Sequence, residues 1–264
     1  CQFLILWYLL YPHKNIKEFF QNGLRFAWYS LLSGAMAAVV LLPAYLGIMQ
    51  TSSAKLDFPK ELWYGTFGNI FSRHLLGTTP LTMAVDDSKI NLYCGILTLL
   101  MAGFYLAVRE IRLIDKIRRL LLLVFLFFSF NMPVLGYIWH GFHDQYGIPN
   151  RYAFLYIFAL LAMAYEGYCV LARGQRKISM EIYTSVILCG VLIEAAIQTV
   201  TVKMEMKTVY ATLAAIIVYM ACFGLYQKKI LRKKVFTTLI CFLFMIETVS
   251  MAVMGFQENG TVDT

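Results

Sequence analysis

An all-α fold is what this sequence predicts: a polytopic transmembrane bundle of about eight helices, the first truncated, with an amphipathic helix on the outer membrane surface. Three observations carry that expectation. Apolar residues make up 60% of the 264, and charged ones only 14%, whereas soluble domains are about 45 to 50% apolar and about 25% charged. Apolar runs of helical length recur, each close to the roughly 20 residues that cross a hydrocarbon layer about 30 Å thick. The charges fall in short stretches between those runs. Repeated long runs favour helices over a barrel, which would show short alternating strands.

Taken in order, residues 1–11 read as the tail of a helix stopped by Pro12. A span from Arg25 to about Met49 follows, with Leu41-Leu-Pro43 near its far end, where proline kinks or ends the helix. Further spans are expected at roughly 91–108, 120–138, 151–172, 181–201, 208–227 and 235–256. They form a single multi-pass domain over residues 1–264. The chain opens on Cys1 within an apolar run, so it is expected to be incomplete at the N-terminus, and to continue past Thr264.

The long connection, residues 50–87, exceeds what a turn requires, and such loops are commonly functional or disordered. Within it Leu62, Trp63, Phe67, Ile70, Phe71 and Leu75 recur at helical spacing, opposite Lys60, Glu61, Asn69, Ser72 and Arg73. An amphipathic helix from about Pro59 to Gly77 fits that pattern. It either lies in the interface plane or packs on the bundle, and the pattern does not separate the two.

Sixteen of the 23 Lys and Arg fall in one alternating set of connections and seven in the other. The richer set is expected on the cytoplasmic side, which places residues 50–87 and the turn around residues 140–150 outside. The net charge of +8 therefore reads as orientation and lipid contact, with no nucleic-acid partner. The six cysteines form no CxxC pair and are expected to act as small hydrophobes, with neither disulfide nor metal cluster.

The turn between the apolar runs 120–137 and 152–170 is rich in chemistry. It holds His140, His143, Asp144 and, at the head of the next span, Arg151. An arginine there presents a planar fork of donors suited to phosphate, or it is an ordinary interfacial anchor. His140, His143 and Asp144 offer acid/base or hydrogen-bonding groups, too few at close range for a zinc site, so no metal is assigned. Side chains that only meet water at the membrane surface would give the same pattern. Arg73 and His74 are further phosphate or sugar candidates. Asp86 and Asp87 could hold a divalent cation, or simply flank a helix start. Glu194 and Glu247 fall near the middle of their spans, with Glu166 nearer the cytoplasmic end of its own. Such groups are expensive in lipid, and serve either in a proton or substrate pathway or as carboxyls hydrogen-bonded to a neighbouring helix.

Tyr137-Ile-Trp-His-Gly-Phe142, followed by Pro149-Asn-Arg-Tyr-Ala-Phe-Leu-Tyr156, resembles the bacterial YfhO family of multi-pass membrane proteins. Leu41-Leu-Pro43 and Asn91-Leu-Tyr-Cys-Gly95 add to the resemblance. It implies a GT-C-type membrane glycosyltransferase of the bacterial cell membrane, acting on its outer face. The donor would be a polyprenyl-phosphate-linked sugar and the acceptor a cell-wall polymer such as lipoteichoic acid. It further implies a catalytic carboxylate in an earlier outer loop that is not in this sequence. Arg151 and Arg73 would then contact phosphate, with His140, His143, Asp144 and His74 as polar lining and no required cofactor. The alternative is a proton-coupled transporter or lipid flippase, for which Glu194 and Glu247 are the supporting features.

Overall fold

A computed structural model describes residues 5, 8–50, 58–78, 90–140, 150–173, 183, 187, 190, 191 and 206–259. Among them eight helices are long enough to be followed as elements, and there is no strand. They are α1 (Ile16–Met49), α2 (Phe67–Ser72), α3 (Ile96–Ala107), α4 (Leu113–Ser129), α5 (Pro133–Trp139), α6 (Ala153–Ala172), α7 (Met206–Gln227) and α8 (Lys233–Asn259).

Four of these, α1, α6, α7 and α8, are long and apolar enough to cross a membrane, and α4 with α5 makes a fifth if counted as one broken span. The count of about eight spans is therefore not reached among the described residues. The expected span at 181–201 lies almost wholly outside them. The expected span at 91–108 is helical only over Ile96–Ala107, because Asn91 to Gly95 is irregular and Gly95 takes a φ of +96°. The expected span at 120–138 is broken: α4 and α5 meet at a 101° bend, where Pro133 cannot donate to the preceding turn. Within α1, by contrast, Pro43 does not end the helix, which continues to Met49.

Helix α3 is the hub. It is apolar on all sides, as a helix buried from every direction must be, and seven of its twelve residues are buried. One core packs Leu100, Met101 and Phe104 against Ile216, Tyr219 and Phe223 of α7 and Phe236 of α8. The other packs Ala102 and Tyr105 against Leu122 and Leu126 of α4 and Ala159 and Met163 of α6. The α3–α6 crossing is the tightest, and Gly167 is the reason: a Cβ there would sit 2.5 Å from the Met101 carbonyl oxygen. At the end of the bundle where α4 and α8 begin, Arg119 pairs with Glu166 at 2.5 Å. The apolar window of α1 has no buried residue within the chain.

The expected amphipathic helix from Pro59 to Gly77 is corrected in extent. Only Phe67–Ser72 is helical. Residues 58–66 are irregular because Asn131, at the α4–α5 break, takes up their backbone instead. Its Nδ2 donates to the Gly65 carbonyl at 2.8 Å, and its Oδ1 and backbone oxygen accept from the amides of Gly65 and Tyr64, each at 2.9 Å. Ile70 and Leu75 are buried, with 2% and 5% exposure, and Phe67 stacks on Phe127. Of the two settings that the spacing allowed, packing on the bundle is the one adopted by these residues.

Asn131→Ala removes two side-chain bonds to Gly65, a loss of about 1 to 3 kcal/mol in all at roughly 1 kcal/mol each. The Gly65 amide is then expected to exchange its hydrogen faster, while amides in the middle of α6 stay protected. Unchanged exchange at Gly65 would show that Asn131 is not the fastener.

Candidate functional site at the Arg73 end

Three stretches of non-helical backbone meet at one end of the bundle: residues 73–78, residues 90–95, and the α4–α5 break with the Asn150–Tyr152 turn. Backbone of this kind is tolerated between membrane helices only where protein satisfies its polar groups, and here side chains do so. The Leu76 amide donates to Thr212 Oγ1 at 2.9 Å, and Thr208 Oγ1 donates to the Gly77 carbonyl at 3.4 Å. The Gly77 amide reaches the Met251 sulfur at 3.3 Å. At the break, Tyr152 OH donates to the Ser129 carbonyl at 2.8 Å, and Asn150 Nδ2 to the Phe130 carbonyl at 3.3 Å.

His74 ties the first stretch to α6. Its Nδ1 lies 3.0 Å from the Phe71 carbonyl and its Nε2 3.2 Å from Tyr156 OH. A carbonyl only accepts, so Nδ1 carries the proton and Nε2 accepts from the tyrosine. Burial pushes the imidazole down to about 4, against weaker upward pulls from backbone hydrogen bonds to Phe71 and Ile70. It is neutral at neutral pH and faces protein on both nitrogens, so the structure places it as a fastener between elements and not on an exposed surface.

The sign of its pH dependence follows. Unfolded, His74 takes a proton near its ordinary value of 6.5; folded, only near 4. Stability contributed by the neutral ring is complete above about pH 6.5, declines as pH falls, and is gone below about 4. His74→Gln is expected to flatten the unfolding midpoint against pH between 4 and 6.5 relative to the parent protein. Equal slopes for the two proteins would rule out His74 as the titrating group.

Arg73, beside it, is half-buried and lines a cavity of about 320 Å³ with Thr78, Asn91, Tyr93 and Met251. Arg151 lies elsewhere in this end of the molecule. It is exposed, just before α6, next to Tyr152, whose ring is held between Trp139 at 4.9 Å and Phe130 at 5.3 Å, both stacked. His140 is half-buried, sits edge-on to Tyr152 at 6.5 Å, and hydrogen-bonds through Nδ1 to the Gly136 carbonyl at 3.2 Å. His140 thus meets the ring of Tyr152, the residue that follows Arg151, whereas Arg73 shares a cavity with Asn91 and Tyr93. His143, Asp144, Asp86, Asp87 and Glu194 lie outside the described residues.

The residue that the motifs did not single out as part of this end is Glu247. It is 7% exposed, on α8, and its carboxyl accepts from Tyr219 OH at 2.6 Å, from the Ile96 amide at 2.6 Å, and from Tyr93 OH. Ile96 is the first residue of α3, so the carboxyl occupies the positive end of that short helix. The carboxyl is hydrogen-bonded to neighbouring helices. Its depth in an apolar run was the available signal; its partners were not legible.

A second cavity, about 500 Å³, runs between α7 and α8. Ala211, Ala214, Ala215, Leu243 and Met254 form apolar walls, Glu247 and Tyr219 the floor, and Lys207 the rim. Met251 lines both cavities.

Several long apolar helices, one of them broken, together with irregular segments fastened between them, define a multi-pass helical membrane protein. Over residues 1–263 the sequence matches the family model described as bacterial membrane protein YfhO, and the chain belongs to that family. No curated protein and no solved structure gave a significant match.

Proposed function

We propose that this YfhO-family protein acts as a membrane glycosyltransferase, moving a sugar from a polyprenyl-phosphate donor to a cell-wall polymer such as lipoteichoic acid at the outer face of the bacterial cell membrane. The observation that carries the reading is the cavity lined by Arg73, which sits against an apolar cavity between membrane helices. A guanidinium can bind phosphate oxygens and stabilise the charge that develops on the leaving phosphate. Arg151, with His140, would form a second polar contact at the rim, extended by His143 and Asp144.

The acceptor hydroxyl must lose a proton to a base, and no carboxylate described here is given that role. Glu247 already receives three hydrogen bonds. His74, neutral and engaged at both nitrogens, holds Arg73's neighbourhood in place and does not meet the donor.

Arg73→Ala in the intact protein is expected to lower polymer glycosylation about a hundredfold, the scale of losing one preorganised charge-stabilising group. Arg151→Ala is expected to lower it less, because that side chain is exposed. Normal glycosylation in cells carrying both substitutions would overturn the reading. The rival, a proton-coupled transporter or lipid flippase, is favoured by one observation, the buried carboxyl of Glu247 between membrane helices. If it holds, neutralising Glu247 and Glu194 abolishes transport while the arginine variants retain it.

A further inference from the structure

Glu247 is 7% exposed, and its carboxyl has room for one more hydrogen bond. Each carboxylate oxygen accepts about two. Oε1 takes the Tyr93 hydroxyl and the Ile96 amide, which fills it, whereas Oε2 takes the Tyr219 hydroxyl alone, at 2.6 Å. Glu247 and Tyr219 both line the cavity between α7 and α8, so the unfilled acceptor position belongs to the oxygen bonded to the floor tyrosine. All three donors are neutral. Among the described residues no ion pair includes Glu247. Lys207 lines the same cavity but stands twelve residues (207 to 219) before Tyr219 on α7, about 18 Å along the helix at 1.5 Å per residue. That is beyond the reach of a lysine side chain.

We infer that the α7–α8 cavity is a binding site for a lipophilic primary amine, its ammonium on Glu247 Oε2 and its apolar stem along the alanine-lined wall. A carboxylate held only by neutral donors in an apolar interior lacks a counter-ion, and a ligand that brings one offsets a charge otherwise costly to bury. The site is separate from the Arg73 cavity, and its assignment does not depend on the transferase reading.

The chemistry of the cavity selects this class of ligand. The open position is an acceptor, so the ligand's cation must carry an N–H; a quaternary ammonium brings charge without a donor. An alcohol brings a donor without charge, and a hydrogen bond between ionised partners is roughly twice as strong as a neutral one. Ala211, Ala214, Ala215 and Leu243 make the walls apolar, so the rest of the ligand is hydrocarbon, and a polyamine would set further charges against walls that cannot pair them. The volume of about 500 Å³ falls within the roughly 300 to 1,000 Å³ of small-ligand sites. Orientation follows from charge: Lys207 at the rim repels an ammonium, and Glu247 at the floor attracts it. Both α7 and α8 are long and apolar enough to cross a membrane, so the occupant arrives from the hydrocarbon layer, where an amine with an apolar stem partitions.

The test uses the full chain in phosphatidylcholine nanodiscs, whose head groups carry no net charge, and a dodecylamine with a diazirine in the middle of its chain. Labelling is expected on the peptides that contain residues 211–219 and 243–254. Excess dodecylamine is expected to suppress it about tenfold better than dodecanol, which keeps the chain and loses the charge, or dodecyltrimethylammonium, which keeps the charge and loses the N–H; tenfold is the scale that separates a charged from a neutral hydrogen bond. Glu247→Gln is expected to erase the preference for the amine over the alcohol, and Tyr219→Phe, which leaves the carboxylate in place, to keep it. Labelling spread over other helices, or equal competition by dodecanol or by the trimethylammonium, overturns the inference; these outcomes are read on the parent protein, whatever the variants do to folding. A preference for the amine that survives in folded Glu247→Gln protein also overturns it, because the ammonium then sits elsewhere. No sugar transfer is measured, so the effect of Arg73→Ala on glycosylation bears on the transferase reading alone.

Discussion

Replacing Glu247 by leucine is expected to unfold the Arg73 end of the bundle before the rest. Two tyrosine hydroxyls and the Ile96 amide lose their acceptor at once. Each unsatisfied buried group costs about 1 to 3 kcal/mol, so the sum is on the order of 3 to 9 kcal/mol, comparable with the roughly 5 to 15 kcal/mol by which whole domains are stable. The loss should be strongly non-additive: once Glu247 is gone, Tyr219→Phe removes a hydroxyl that no longer has a partner. A double-mutant cycle by unfolding in mixed micelles is expected to show a coupling of about 1 to 3 kcal/mol between the two positions. Additive single substitutions would mean that the carboxyl and the Tyr219 hydroxyl do not bond. Glu247→Gln keeps an acceptor oxygen and adds donors that face other donors, so an intermediate loss is expected.

The second large effect is at Gly167. A methyl group there meets the Met101 carbonyl oxygen at 2.5 Å and the Tyr105 nitrogen at 3.3 Å, and backbone atoms cannot turn aside as side chains can. Helices in membranes associate through such close approaches of small residues. Gly167→Ala must push α3 and α6 apart, at a cost of about 1 to 3 kcal/mol typical of overpacking, and Gly167→Val more. The control is Gly34→Ala in α1, where nothing lies within 4 Å of the added carbon and the gain in helix propensity is about 1 kcal/mol. Opposite shifts in unfolding midpoint are expected from the two alanine substitutions. A neutral Gly167→Ala would show that the crossing is looser than described.

How much of this end could be read from sequence depends on the residue. Arg73, Arg151 and His140 were marked by being polar beside apolar runs, and Asn91 to Gly95 by its motif. At Gly95 the φ of +96° strains any residue with a side chain, and Phe244, 2.7 Å from a would-be Cβ, would have to shift. His74 carried the same polar signal as Arg73 but points into protein. Helical spacing over residues 62–75 suggested a longer helix than forms, because period counts cannot see Asn131, 66 positions away, claiming the backbone of Gly65. Thr208 and Thr212 gave no sign of holding Leu76 and Gly77, since threonine is unremarkable within an apolar helix.

What the sequence determined alone is the solvent and the secondary structure: long apolar runs must be helical where water is scarce, since only a helix satisfies its own backbone there. What tertiary structure decided is where helix is interrupted. Breaks at Asn91–Gly95, at Pro133 and after Ser72 survive because Asn131, Tyr152, Thr212 and Glu247, distant in sequence, supply the missing partners. Hydrogen bonding of that kind is a property of positions in space, and no local pattern encodes it.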